Sequence, residues 1–287
     1  MVKTINDLYM EARKALLRQE DPGTASLMAR NLLCHITGRT PEQLSTDRQL
    51  YASEPWCEQM DKCLQRLLDG EPLAYVLGKW EFYGLPLQVD KRVLIPRDDT
   101  CAVTELAIRY GVNLKTGPRI LDLCTSSGCI GLAIANRIKD ARVTLADISK
   151  DALAVAKSNI SNLKLSARVS CLQVSALEPA KPFLGKFDLI VSNPPYITRQ
   201  EMLELDASVK DYEPHLALFG GEDGLDFYRA ICKNFKNALL PGGYLCFEFG
   251  IGQCDDVCRI LKENGFTILE RSRDYNNIER AVIARYE

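Results

Sequence analysis

The chain has 287 residues, 46% of them hydrophobic and 26% charged, a composition of soluble globular proteins with room for one large domain or two unequal ones. A net charge of −2 and a pI of about 5.9 provide no global basic field for nucleic acid or an anionic membrane. The start from Met1 to Leu8 lacks the apolar core of a signal peptide, and Asp122 and Ser126 break the best candidate for a bilayer span, so a cytoplasmic protein is expected.

The first part of the chain reads as helical. Leu8, Ala12, Ala15 and Leu16 share one face, with Asn6 and Asp7 as candidate caps. Asp21-Pro22 opens a second helix with Leu27, Leu32, Leu33 and Ile36 inward and Gly38 at its end. Thr40-Pro41 starts a short helix, and Glu54-Pro55 a longer one carrying Met60, Cys63, Leu64, Leu67 and Leu68. These helices make a small bundle over residues 1–72 with no paired acids, metal cluster or glycine loop, so docking or support is its expected work.

From residue 73 the texture turns to aromatic and β-branched residues. Leu73–Leu77, Trp80–Tyr83 and Leu85–Val89, punctuated by Gly78 and Gly84, read as a β-hairpin linker, and Arg92–Pro96 as a short strand before a turn, together spanning 73–97. A third region, 98–287, opens with a helix at Asp98-Asp99-Thr100 and then alternates. Strands are expected at Arg119–Leu123, Arg142–Ala146, Ala167–Val174, Phe187–Ser192, Gly243–Glu248, Thr267–Glu270 and Glu279–Arg285. Helices are expected at Cys129–Ile138, Ser149–Asn159, Leu225–Leu240 and Cys254–Asn264. Such alternation makes an α/β fold with a mainly parallel sheet covered on both faces.

Two turns in this region carry chemistry. After the first core strand comes Cys124-Thr125-Ser126-Ser127-Gly128, small residues that let a ligand approach the backbone at a helix N-terminus. Asp147 stands at the tip of the next strand, where an acid can accept both hydroxyls of a ribose; it can also cap the following helix. Neither a GxxxxGK[ST] run nor an intact GxGxxG is present, which favours S-adenosylmethionine over a phosphate-bearing cofactor, with S-adenosylhomocysteine as the product.

The second turn is Asn193-Pro194-Pro195-Tyr196, at the end of a buried strand. The prolines fix φ and supply no backbone N–H, leaving a rigid turn with free acceptors. Asn193 offers an amide, Pro194 a carbonyl and Tyr196 a ring, a set suited to a planar NH2-bearing group. The 11 cysteines are scattered without a CxxC, and only two histidines occur, so reduced thiols rather than a zinc site are expected, although Cys254 and Cys258 share a probable helix face. His215 reads as a loop residue, and Glu105 is either near the site or simply solvated.

With Asn-Pro-Pro-Tyr following an Asp-tipped second strand, the chain resembles class I methyltransferases that modify exocyclic or amide nitrogens. The runs Gly78-x-x-Glu81-Phe82-Tyr83-Gly84, Val93–Arg97, and Glu213-Pro214 leading to Gly220-Gly221-x-Asp223-Gly224-Leu225 narrow the resemblance to the release factor glutamine methyltransferases (PrmC/HemK) over nearly the whole chain. The resemblance implies a Rossmann-like domain, with methyl transfer from S-adenosylmethionine to the amide nitrogen of the glutamine in the Gly-Gly-Gln motif of peptide chain release factors. It puts Cys124–Gly128, Asp147 and Ala176 at the cofactor, with Asn193 reaching it too, and Asn193, Pro194, Pro195 and Tyr196 at the substrate. A monomer without direct nucleic-acid partners is expected.

The sequence departs from the family at Cys124 and Ser126, where glycines are usual, at Ser175, where an acid is common, and at Cys101 in place of a glutamate. Cys and Ser are small, and a loop with negative φ at positions 124 and 126 would tolerate both, so a working cofactor site of lower affinity is expected. The rival readings are an adenine amino-group methyltransferase acting on DNA or RNA, whose flipped base fits the same turn, and a non-catalytic binding module.

Overall fold

The computed structural model describes residues 2–114 and 117–287. The chain forms two compact units, one of residues 1–78 with 207–212 and one of residues 79–206 with 213–287.

The first unit is a helical bundle of α1 (Ile5–Leu16), α2 (Pro22–Thr37), α3 (Pro41–Thr46), α4 (Glu54–Leu68) and α5 (Leu73–Leu77), joined by a short later helix, Ala207–Tyr212. Thr4, rather than Asn6 or Asp7, caps α1: its hydroxyl accepts from Asp7 N, and Asp7 answers on the Thr4 N–H as a capping box. Asp21 caps α2 with Pro22 in its first turn, and Gly38 closes it in the left-handed region. Ile5, Leu8, Ala12 and Leu16 of α1 meet Leu32, Leu33, Met60 and Leu67 in one apolar cluster, whereas Leu27 is 46% exposed. The stretch Leu73–Leu77 is helical, not a hairpin strand. Pro72 starts the turn and Gly78 ends it in the left-handed region, and Ala74, Tyr75 and Val76 are buried together, a pattern no alternating strand allows.

The second unit starts with the hairpin β1 (Lys79–Phe82) and β2 (Leu85–Gln88). Arg92–Pro96 carries no strand; it runs as an irregular segment in which Leu94 N donates to Ser126 Oγ at 2.9 Å and Ile95 N to Glu213 Oε2 at 3.2 Å. A 3-10 turn at Asp98–Thr100 leads into α6 (Cys101–Gly111). Then come β3 (Arg119–Leu123), α7 (Cys129–Arg137), β4 (Arg142–Asp147), α8 (Lys150–Asn162), β5 (Val169–Gln173), β6 (Phe187–Ser192) and α9 (Glu201–Glu204). The chain finishes, after α10 (the Ala207–Tyr212 helix of the first unit), with α11 (Asp226–Phe235), β7 (Leu239–Glu248), α12 (Cys254–Glu263), β8 (Phe266–Arg273) and β9 (Glu279–Tyr286).

The seven strands lie in the order β5-β4-β3-β6-β7-β9-β8. The first five are parallel, and β9 enters antiparallel to β7 and β8. Alternate side chains feed opposite faces: Ile120, Leu189, Val191 and Cys246 pack with α6 and α7, and Leu121, Ile190, Leu245 and Phe247 with α11 and α12. Strand order reverses between β3 and β6, so a crevice opens at the carboxyl ends of these two strands, the usual ligand position of an open α/β sheet.

Candidate cofactor and substrate site

A cleft of about 170 Å³ opens at that switch point, entirely within the second unit. The loop after β3 supplies Cys124 to Ser127, the tip of β4 Asp147, Ile148 and Ser149, the segment after β5 Val174 to Leu177, and the end of β6 Asn193 and Pro195. Arg92 to Arg97 and Pro214 to Ala217 contribute further walls, through Leu94, Pro96, Leu216 and the two arginines.

The loop between β3 and α7 is conformationally strained. Cys124 has φ 62° and Ser126 φ 51°, so the expected negative φ is not found at either residue. An L-residue in this region loses roughly 1–2 kcal/mol to contact between Cβ and the carbonyl. The loop therefore depends on its hydrogen bonds. Asp122, fully buried, accepts from Thr125 Oγ1 at 2.5 Å and from Gly131 N at 2.9 Å. Thr125 N donates to Ala146 O at 3.0 Å, and Ser126 N to Asp147 Oδ2 at 2.9 Å. Ser126 uses its hydroxyl as the acceptor for Leu94 N, a bond that glycine could not make. Asn159, also fully buried, accepts from Gln88 N and donates to Ser127 O, joining the loop to the hairpin. Burial pushes the Asp122 carboxyl up to about 7, against the lowering effect of its two donors.

Asp147 sits where a ribose acid is expected. Its Oδ2 takes the loop N–H and its Oδ1 the Ser149 N–H at 2.9 Å, while Ser149 itself caps α8. Each oxygen keeps a second lone pair for a hydroxyl, so the two readings of Asp147 are compatible. Burial raises its pKa, opposed by its backbone donors. Ala176 is buried beside Ser175 in the same wall, and Ile148 and Leu177 stand 46% and 52% exposed at the rim. These residues fit an adenosine with an amino-acid arm: one carboxylate for the sugar, apolar walls for a base, and cations at Arg92 and Arg97. A phosphate fits poorly, because Asp122 already accepts from an N–H in the first turn of α7.

The turn after β6 is built on different lines. Asn193 is half-buried and Pro194 and Pro195 are buried. Asn193 and Pro195 line the cleft; Pro194 and Tyr196 stand behind the lining. Tyr196 is half-buried with its ring against Gly250, and its carbonyl accepts from Gln253 Nε2 at 3.1 Å. The glycine-rich run beyond the turn buttresses it. Gly220 N donates to Ile197 O at 2.9 Å, and Ile197 N to Leu218 O at 3.0 Å. A Cβ at Gly220 would lie 2.6 Å from Tyr196 Cα, and one at Gly224 would strike the Tyr196 carbonyl oxygen. Only glycine lets these backbones approach so closely.

Several residues here were not singled out as functional by the sequence. Glu213, 4% exposed, ion-pairs with Arg97 and accepts from Ile95 N, tying two walls of the cleft together. Glu248 ends β7 with 2% exposure, and burial pushes it up to about 8. Glu213 stood in the sequence only as part of a family motif, and Glu248, in an apolar strand, gave no signal of its own. His215 is exposed and does not line the cleft, although Leu216 and Ala217 of the same 3-10 turn do, and Glu105 accepts from Tyr275 Oη at 3.2 Å, also outside it. No helix among the described residues is long and apolar enough to cross a membrane.

Comparison with known proteins agrees with this architecture. Residues 7–78 match the PrmC N-terminal domain and residues 107–209 the methyltransferase small domain. The release factor glutamine methyltransferase of Clostridium acetobutylicum is 40% identical over 253 residues, covering 88% of each chain. That of Thermodesulfovibrio yellowstonii is 36% identical over 258 residues, covering 89% of this chain and 90% of its own. The bifunctional methyltransferase of Rickettsia typhi is 37% identical, but the chain spans only 52% of its length. Among solved structures, the hMettl16 catalytic domain in complex with the MAT2A 3'UTR hairpin 6 superposes with a TM-score of 0.58 over 88% of this chain and 92% of its own, at 14% identity, a likeness of fold alone. With a seven-stranded switch-point sheet, both domain matches in order and two relatives aligned over nearly their full length, the chain belongs to the release factor glutamine methyltransferase family.

Proposed function

We propose that the protein transfers a methyl group from S-adenosylmethionine to the side-chain amide nitrogen of the glutamine in the Gly-Gly-Gln motif of peptide chain release factors. The observation that carries this reading is the juxtaposition of two turns on one cleft: an acid-tipped nucleoside wall at Asp147 and a rigid acceptor turn at Asn193. When bound, S-adenosylmethionine supplies a methyl group already activated by its sulfonium.

The chain's own work is placement. Asp147 accepts the ribose hydroxyls, Cys124 to Gly128 bring backbone to the methionine arm, and Ala176 borders the adenine. A carboxamide nitrogen is a weak nucleophile because its lone pair is delocalised into the carbonyl. Asn193 Oδ1 and the Pro194 carbonyl accept its two N–H groups, orient it towards the methyl carbon and favour the positive charge that develops on it. The ring of Tyr196 backs the amide plane. A nitrogen–carbon bond forms, the carbon–sulfur bond breaks with its electron pair left on sulfur, and the nitrogen releases one proton to water. S-adenosylhomocysteine remains. The protein acts as a cytoplasmic monomer, and the helical bundle docks the substrate.

Labelled cofactor with three acceptors tests this reading: a class I release factor, the same factor with its Gly-Gly-Gln glutamine changed to alanine, and adenine-containing DNA or RNA. Label is expected on the first alone. Label on the nucleic acid alone would replace the proposal with adenine methylation, and no transfer to any acceptor, with cofactor bound, would leave a binding module.

A further inference from the structure

We infer that Ser126 is a positioning residue for the transfer step: its hydroxyl anchors the segment 94–100, which braces the cofactor loop against the Asn193 turn. The inference rests on the roles proposed for that loop and turn, and adds what sets the distance between them.

The sheet fixes only the base of the site. Leu123 pairs with Ser192 at the ends of β3 and β6, and Ser192 Oγ donates to Leu123 O at 2.6 Å. Beyond the strands no ladder holds the loop tip and the clamp amide, yet a methyl donor and its acceptor have to meet within about 3–3.5 Å.

The segment 94–100 joins the two. Val93 and Ile95 are buried, while Leu94, Pro96, Arg97 and Thr100 line the cleft. No strand forms at 94–96 and Pro96 has no N–H, so side-chain acceptors set the course of the backbone there. Leu94 N donates to Ser126 Oγ at 2.9 Å, and Ile95 N to Glu213 Oε2 at 3.2 Å. At the other end Thr100 Oγ1 accepts from Asn193 Nδ2 at 3.4 Å, a long bond. That end is itself held: Arg280 ion-pairs with Asp99 at 2.7 Å, and Thr104 Oγ1 donates to Thr100 O at 2.8 Å. One end therefore rests on the cofactor loop and the other on the clamp.

Ser126 differs from the loop's other anchors in where its bond leads. The bonds to Asp122 and Asp147 stay among β3, α7 and the tip of β4. The Ser126 hydroxyl reaches a wall 32 residues earlier in the chain. Its backbone has φ 51°, where glycine would be relaxed and serine is not. Glycine, usual in the family at this position, would lose the Leu94 anchor. A strained serine is accounted for by the bond its hydroxyl makes.

Ser126→Gly and Ser126→Ala test the inference. Both remove the hydroxyl, but glycine relieves the positive φ and alanine keeps it, so the glycine variant should be the more stable in thermal unfolding. By NMR the Leu94 amide should exchange roughly tenfold faster in both variants than in wild type, the loss of one hydrogen bond. Single-turnover methylation is followed at saturating cofactor, with cofactor Kd measured alongside, so that affinity and rate are read apart. Both variants should transfer methyl roughly tenfold more slowly, less than the ~10²-fold of a 1 Å misplacement because Glu213 still holds Ile95. In an Asn193→Ala background Ser126→Gly should cost less than about threefold, the coupling of residues that set one geometry. A purely structural role would instead restore the rate in Ser126→Gly along with stability, and that result would overturn the inference. Unchanged Leu94 exchange, or equal rate losses with and without Asn193, would do the same. A wild type that methylates no release factor would overturn the proposed function and the inference with it; a wild type that does, with variants as fast, would overturn the inference alone.

Discussion

The loop at 122–128 and the turn at 192–196 meet at one cleft but hold their shapes by opposite means. The turn is stiff by covalent constraint: two prolines fix its backbone, and glycines at 220 and 224 let neighbouring backbone close against it. The loop is held in an unfavourable conformation by its surroundings, with positive φ at Cys124 and Ser126 and bonds to Asp122, Asp147 and Leu94. A covalently stiff clamp keeps its geometry when a neighbour changes, whereas a hydrogen-bonded loop transmits any change to the cofactor. Losses at the clamp should therefore appear in the rate of transfer, and losses at the loop in cofactor affinity.

Asn193→Ala would break this division most directly. It should lower the single-turnover rate by roughly 10²–10³, the effect of removing one preorganised dipole, while calorimetry shows cofactor binding within about threefold, below the scale of one lost hydrogen bond. Asp147→Ala should do the reverse: Kd for the cofactor rises by roughly 10–100-fold as hydrogen bonds to a charged acceptor are lost, and the rate at saturation changes little.

The next prediction concerns pH. Asp122 titrates near 7 in the folded chain against an ordinary 3.8, because burial penalises its charge. Between those values the folded state holds a proton that the unfolded state has released, so stability falls as pH rises through that window. Glu248, pushed up to about 8, acts in the same direction. Urea unfolding of Asp122→Asn should show a shallower decline from pH 5 to pH 8 than wild type; an unchanged slope would mean that Asp122 is ionised throughout.

The smallest effect is expected for Cys124→Gly. Relief of positive φ opposes the loss of a partly buried side chain and the added freedom of the unfolded chain, so stability should change by no more than about 1 kcal/mol. A larger loss in thermal unfolding would show that Cys124 packing, not strain, dominates the loop.

Much of this was legible in the sequence. The strands from Arg119 to Tyr286 could be read because each is a short apolar run bounded by turn residues. Asp147 and Asn193 were visible because each sits at the end of such a strand. What escaped had physical reasons. Leu73–Leu77 shares its composition with strands, and only the burial of three consecutive side chains distinguishes it as a helical turn. Arg92–Pro96 has β-branched residues but spends its N–H groups on Ser126 and Glu213, partners distant in the sequence. The φ values at 124 and 126 follow from the loop's tertiary anchors, not from the residues in it. Thr100 meets Asn193 only because the 3-10 turn before α6 stands beside the end of β6.

The central claim is the chemical identity of the methylated atom. A class I release factor incubated with the protein and S-adenosylmethionine, then digested and fragmented in a mass spectrometer, measures it directly. The account predicts one added methyl group, on the side-chain amide of the Gly-Gly-Gln glutamine. A methyl group on any other residue, or an unmodified motif under conditions where the cofactor is consumed, would contradict it.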